Sequence, residues 1–129
     1  MLEVANKTRA PVPRREATSI FRRAFRRVRM DVSLAFVGDA TMRRLNRIYR
    51  GDDKTTDVLS FLLEPGMGQI VISVPRAVAD AKKEKVPVRA KILMLVAHGM
   101  AHVRGYDHAR LRERRIMKRL EASWLRGLV

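Results

Sequence analysis

The spacing of hydrophobic positions changes several times along the chain, and each change marks an element. Leu2 to Lys7 reads as a short edge strand, and Pro11 and Pro13 end any regular structure after it. Ile20, Ala24 and Val28 then recur four residues apart with arginines on the opposite side, which predicts a helix from Arg14 to Val28. Val32, Leu34 and Phe36 alternate, so Asp31 to Val37 predicts a strand. Asp39 is placed to cap a helix running through Met42 and Leu45 toward Ile48. Gly51-Asp52-Asp53-Lys54 is turn chemistry. Thr56 to Leu62 and Gln69 to Val74 read as strands separated by Pro65-Gly66. Pro75 suits the first turn of a helix reaching about Lys85, because its missing amide donor is not needed there. Pro87 opens a strongly apolar helix that should be buried, continues to His102 and stops near Gly105 in a left-handed cap. A last helix runs from about His108 to Leu125, with Leu111, Ile116, Leu120 and Trp124 on one side. Strands and helices mix without clean alternation, which predicts an α+β fold, a small mixed β-sheet packed against helices. The length suits a single domain over residues 1–129.

Composition adds one strong feature. The formal net charge is +15. Such a field favours polyanions, and the planar fork of arginine suits phosphate oxygens. Composition alone does not separate a functional polyanion surface from a merely solvated basic one. No apolar run approaches the roughly 20 residues of a membrane helix, and the N-terminus lacks a secretory pattern. The absence of cysteine excludes disulfide-linked partners, thiolate metal sites and a cysteine nucleophile, and it fits a reducing cytoplasm.

The candidate chemistry lies in His98-Gly99-Met100-Ala101-His102-Val103-Arg104-Gly105-Tyr106-Asp107-His108, which holds all three histidines of the chain. His98 and His102 are four apart, so a helix stacks their imidazoles on one face. Gly105 permits a sharp turn that can bring His108 back toward them. Three imidazoles with an open fourth position is the usual arrangement of a catalytic zinc site, although nickel or copper would also accept it. The spacing matches the H-E-x-x-H-x-x-G-x-x-H pattern of metzincin proteases, except that Gly99 stands in place of the glutamate that serves as their general base. Protease chemistry by that route is therefore not expected. Asp107 is either a partner orienting an imidazole from behind or a cap for the final helix.

A second segment completes the picture: Leu45-Asn46-Arg47-Ile48-Tyr49-Arg50-Gly51-Asp52-Asp53-Lys54-Thr55-Thr56-Asp57-Val58-Leu59-Ser60-Phe61. Together with the histidine motif it resembles the YbeY family, single-domain metal-dependent endoribonucleases of bacteria. That family's signature reads H-G-x-L-H-L-x-G-Y-D-H, preceded by a stretch of the type L-N-x-x-Y-R-x-x-D-x-x-T-D-V-L-S-F. The chain departs from it at Ala101 and Val103, which replace leucines, and at Gln69, where an aspartate is common. The hairpin between Phe61 and Gly68 also looks shorter than is usual in the family.

The resemblance implies a small sheet packed against helices, with a three-histidine metal site in a cleft. It implies one zinc per chain, held by His98, His102 and His108, and hydrolysis of RNA phosphodiesters. It implies roles in 16S rRNA 3′-end maturation and ribosome quality control, hence ribosomal RNA and the small ribosomal subunit as partners. Arg50 falls on the family's functional arginine, where a cation can stabilise charge developing on a phosphate. Its bland alternative is an exposed helix-end arginine favoured by the helix dipole. The basic faces of the first and last helices, Arg22, Arg23, Arg26 and Arg27 with Arg112, Arg115 and Arg119, would hold an RNA backbone. Thr56 and Ser60 are either donors lining the cleft or ordinary strand residues. Few aromatics suit base stacking, so shape and phosphate recognition should outweigh base reading. Two other readings stay open: another zinc hydrolase, or a metal-stabilised ribosome assembly factor with weak or no hydrolytic activity.

Overall fold

A computed structural model describes residues 1–106 and 109–129. Among these, four strands and five helices follow in the order β1 (Leu2–Asn6), α1 (Arg14–Ala24), β2 (Asp31–Val37), α2 (Asp39–Arg50), β3 (Val58–Glu64), β4 (Met67–Ser73), α3 (Val74–Glu84), α4 (Val88–Val103) and α5 (Leu111–Leu125). The sheet order is β1-β2-β4-β3; β1 and β4 both run parallel to β2, and β3 closes the edge antiparallel to β4. The α+β expectation and the mixed sheet are borne out.

Alternation along the strands divides the core. Val32, Leu34, Phe36, Ile70 and Ile72 point to one face and pack with α1, α3, α4 and α5. Val37, Leu59 and Val71 point to the other, where Met42 and Leu45 of α2 cover them. Helix α4 lies at the centre of the first layer, touching α1, α3, α5, β3 and β4. Two glycines set how closely it approaches the sheet. A Cβ added at Gly99 would lie 2.7 Å from Ile70 Cγ2, and one added at Gly68 would collide with Val103. The missing side chains let helix and strand backbones come nearer than β-carbons would allow.

Several boundaries differ from the sequence expectation. Helix α1 ends at Ala24, four residues early, and Val28 is exposed instead of continuing the buried stripe. Closure explains this. A helix of 11 residues returns the chain about 16 Å, the length of the five-residue strand it crosses over to reach parallel β2. Phe25 then turns inward against Phe21. Asp39 does not cap α2. Gly38 is the cap residue, and the Asp39 carboxylate, one position inside, accepts hydrogen bonds from Ser73 Oγ at 2.7 Å and Thr55 Oγ1 at 3.2 Å. Ser73 in turn caps α3 by accepting from the Arg76 amide, with Pro75 in the first turn as expected. Pro87 opens α4 as expected: it is the N-terminal cap residue, and its carbonyl accepts from the Lys91 amide at 3.0 Å.

The end of α4 follows expectation. Gly105 has φ +108°, its amide donates to the His102 carbonyl, and the Tyr106 amide donates to the Ala101 carbonyl. This pair of bonds is a Schellman termination, with Tyr106 packed against the core beneath it. Helix α5 is described from Leu111. Met117 and Trp124 form its buried line, while Leu111 is exposed. None of the helices among the described residues is long and apolar enough to cross a membrane.

Candidate metal and nucleic-acid site

Helix α4 is buried almost all round. Its positions that stay partly open from the second turn onward are Lys91, Met94, His98 and His102, spaced three or four apart and so on one stripe. Both histidines therefore occupy the one side of a core helix that water can reach. His98 Nε2 lies 3.1 Å from His102 Nε2, with the rings nearly perpendicular and their centroids 4.6 Å apart. On its other side, His98 Nδ1 lies 2.7 Å from Glu121 Oε1 of α5. A groove of about 440 Å³ opens over His98, and Asp57, Lys91, Lys118 and Glu121 are its other polar lining residues.

This donor set suits a metal. Two imidazole nitrogens point at common ground, with a separation compatible with zinc–nitrogen bonds of about 2.0–2.1 Å. The carboxylate behind one of them is the usual outer partner of a metal-bound histidine. Among the described residues, no three histidine, aspartate or glutamate side chains gather as a metal-binding group. His108, expected as the third ligand, and Asp107, expected behind it, lie outside the described residues.

Gly99 explains the missing protease base. Its position faces Ile70 in the sheet layer, so a glutamate there would point into the core and away from the open stripe.

Arg50 ends α2, on the sheet face opposite α4, and does not line the groove over His98. It is exposed, and its side chain makes no hydrogen bond or ion pair among the described residues. Its neighbours are engaged. Arg43 donates to both oxygens of Asp53, at 2.9 and 3.2 Å, and Arg47 lies 3.7 Å from the same carboxylate. The hydrogen bond from Arg43 holds the Asp53 carboxyl below the usual carboxylate range. Asn46 is buried, and its Nδ2 donates to the Lys54 carbonyl at 2.9 Å, pinning the loop that leads to β3.

The basic faces separate by role. Arg22 and Arg26 are exposed beside Trp124, although Arg26 sits in the turn after α1 rather than on the helix. Arg23 is committed to structure, donating to the Trp124 and Arg126 carbonyls at the end of α5, at 2.7 and 2.8 Å. Arg112, Arg115 and Arg119 are exposed along one side of α5. Thr56 and Ser60 do not line the groove; Thr56 Oγ1 donates to Asp57. Gln69 pairs in register with Phe61 on the α2 face, so the departure from the family's aspartate lies across the sheet from the histidines.

Two features escaped the sequence reading. Tyr49, 55% exposed, stacks on Phe61 with ring centroids 4.8 Å apart, an aromatic surface next to Arg50. Glu121 meets His98 from 23 residues away. Its signal was present: it falls between Met117 and Trp124 on the inward side of a basic helix, where a carboxylate needs a partner.

A family model described as Endoribonuclease YbeY matches residues 3–129. An Endoribonuclease YbeY of Anaeromyxobacter is 42% identical over 114 residues, 82% of this chain and 59% of that protein. Another from Finegoldia magna is 39% identical over 105 residues, 76% of this chain and 69% of that protein. This chain thus spans about three-fifths to two-thirds of the length of these two relatives. The fold is matched by a solution structure from Thermotoga maritima with a TM-score of 0.70 and 20% identity, covering 97% of this chain and 89% of the other. On the extent of the family match and the identity to these relatives, the chain belongs to the YbeY family.

Proposed function

We propose that the chain is a metal-dependent endoribonuclease acting on single-stranded segments of ribosomal RNA, in 16S rRNA 3′-end maturation and ribosome quality control. The observation that carries this reading is the convergence of His98 and His102 Nε2 on the one open stripe of a core helix, in a chain of this family. His98, His102 and His108 would hold one zinc. When bound, zinc supplies Lewis-acid polarisation of a phosphate oxygen and an acidified water. The chain's own residues do the rest. Arg50, exposed and unpaired among the described residues, is available to neutralise charge gathering on the phosphate. Arg22, Arg26, Arg112, Arg115 and Arg119 hold the backbone of the RNA electrostatically. The ribosomal particle, in a reducing cytoplasm, defines the substrate more than base sequence does.

A second reading, a metal-stabilised ribosome assembly factor with little hydrolytic activity, is favoured by one observation. Arg50 ends the helix that covers the sheet face opposite α4, and it does not line the groove over His98. Proteolysis is disfavoured by the packing at Gly99.

The two readings part in one experiment. Zinc-loaded wild type, His102→Ala and Arg50→Ala are incubated with structured ribosomal RNA at two salt concentrations. The nuclease reading predicts cleavage by wild type that falls in both variants and weakens steeply with salt. Undiminished cleavage by His102→Ala would sink the metal mechanism. Binding to the small subunit without cleavage by any sample would favour the assembly factor.

A further inference from the structure

We propose that Glu121 is a positioning residue that fixes His98 in one tautomer and so presents Nε2 to the metal; the inference rests on the metal reading above. The argument begins with α5. Met117 and Trp124 anchor its buried line, which turns Glu121 toward the open stripe of α4. The Glu121 side chain is only 17% exposed and its carboxylate meets His98 Nδ1 at 2.7 Å. A carboxylate oxygen only accepts, so a nitrogen at that distance carries a proton. The imidazole proton of neutral His98 therefore sits on Nδ1, and the Nε2 lone pair points toward His102 Nε2 at 3.1 Å. A metal held by both residues would take the lone pairs of these two nitrogens.

The geometry also separates Glu121 from the ligands. It addresses the side of the ring away from the converging nitrogens, so it acts through His98 rather than on the ion. Such a carboxylate restrains ring rotation and raises the basicity of the ligating nitrogen, and losing one typically costs 10–100-fold in metal affinity. This carboxylate comes from the last helix, outside the histidine motif.

The test uses the full chain as wild type, Glu121→Gln and Glu121→Ala, with folding checked by circular dichroism. Two quantities are read: the His98 tautomer in metal-free protein, from long-range nitrogen–proton NMR correlations, and zinc affinity, by competition with a chromogenic chelator. We expect wild-type His98 protonated on Nδ1. In Glu121→Ala the ring should populate both tautomers, and zinc affinity should fall by about 10–100-fold. Glu121→Gln should keep the tautomer, because its amide oxygen still accepts, and recover part of the affinity. This variant also keeps the side-chain volume, so it decides the matter if the alanine variant does not fold. Wild-type affinity in Glu121→Ala, or a wild-type His98 protonated on Nε2, would overturn the inference while leaving the metal reading intact. A wild-type protein that binds no zinc would overturn both.

Discussion

Helices α4 and α2 cover opposite faces of one sheet and hold it in opposite ways. Helix α4 is closed on nearly every side, and its contact with β4 is made possible by absent side chains at Gly68 and Gly99. Helix α2 rests on the sheet through Met42 and Leu45 and leaves Ile48, Tyr49 and Arg50 in solvent. The difference teaches where each kind of chemistry can sit. Metal ligands, the role proposed for His98 and His102, need fixed geometry, and both residues are fixed by a core helix that cannot shift without disturbing five neighbouring elements. An arginine that is to bind phosphate, the role proposed for Arg50, needs reach, and an exposed helix end provides it.

The comparison can be broken at Gly99. Gly99→Glu, which would restore the glutamate of the protease pattern, forces a carboxylate into the Ile70 layer. Overpacking and an unpaired buried charge together should remove most of the stability of a domain this size, leaving little folded protein in thermal or urea unfolding. A folded Gly99→Glu protein with wild-type stability would show that α4 is not seated as described.

The same contact can be sharpened more gently. Gly99→Ala should destabilise by about 1–3 kcal/mol, less up to about 1 kcal/mol that alanine returns through helix propensity. The colliding atom is Ile70 Cγ2, so Ile70→Leu, which moves the branch one carbon outward, should recover part of the loss when combined with Gly99→Ala. Purely additive losses in the double variant would place the clash elsewhere. On the other face the expected effect is smallest. Tyr49→Ala gives up one offset stack on Phe61, about 0.5–1.5 kcal/mol, and should leave zinc affinity unchanged. A change in zinc affinity there would mean that the two faces are coupled.

Much of this was legible in the sequence, for reasons tied to particular residues. The i, i+4 spacing of His98 and His102, the turn at Gly105 and the apolar run before them leave one consistent structure, and the fold keeps it. The strand alternations are equally local. What was not legible depends on contacts between distant segments. The end of α1 at Ala24 follows from the length of β1, which no helical periodicity registers. Asp39 carries the chemistry of a cap, but Ser73 and Thr55 draw its carboxylate away. That α4 and α2, the helix ending in Arg50, cover opposite faces of the sheet follows from which strand residues each packs on, and linear spacing is silent on which face a helix covers. Glu121 was hidden for the same reason: its partner is on another helix.

The central claim is that α4 presents His98 and His102 as two ligands of one metal ion. The most direct measurement is zinc titration with chelator competition on wild type and the His98→Ala/His102→Ala double variant, both checked for folding. The account predicts one zinc per wild-type chain and a loss in the double variant larger than the roughly 10–100-fold expected for an outer carboxylate. Equal affinity in the two proteins, or no zinc on the wild type, would contradict it.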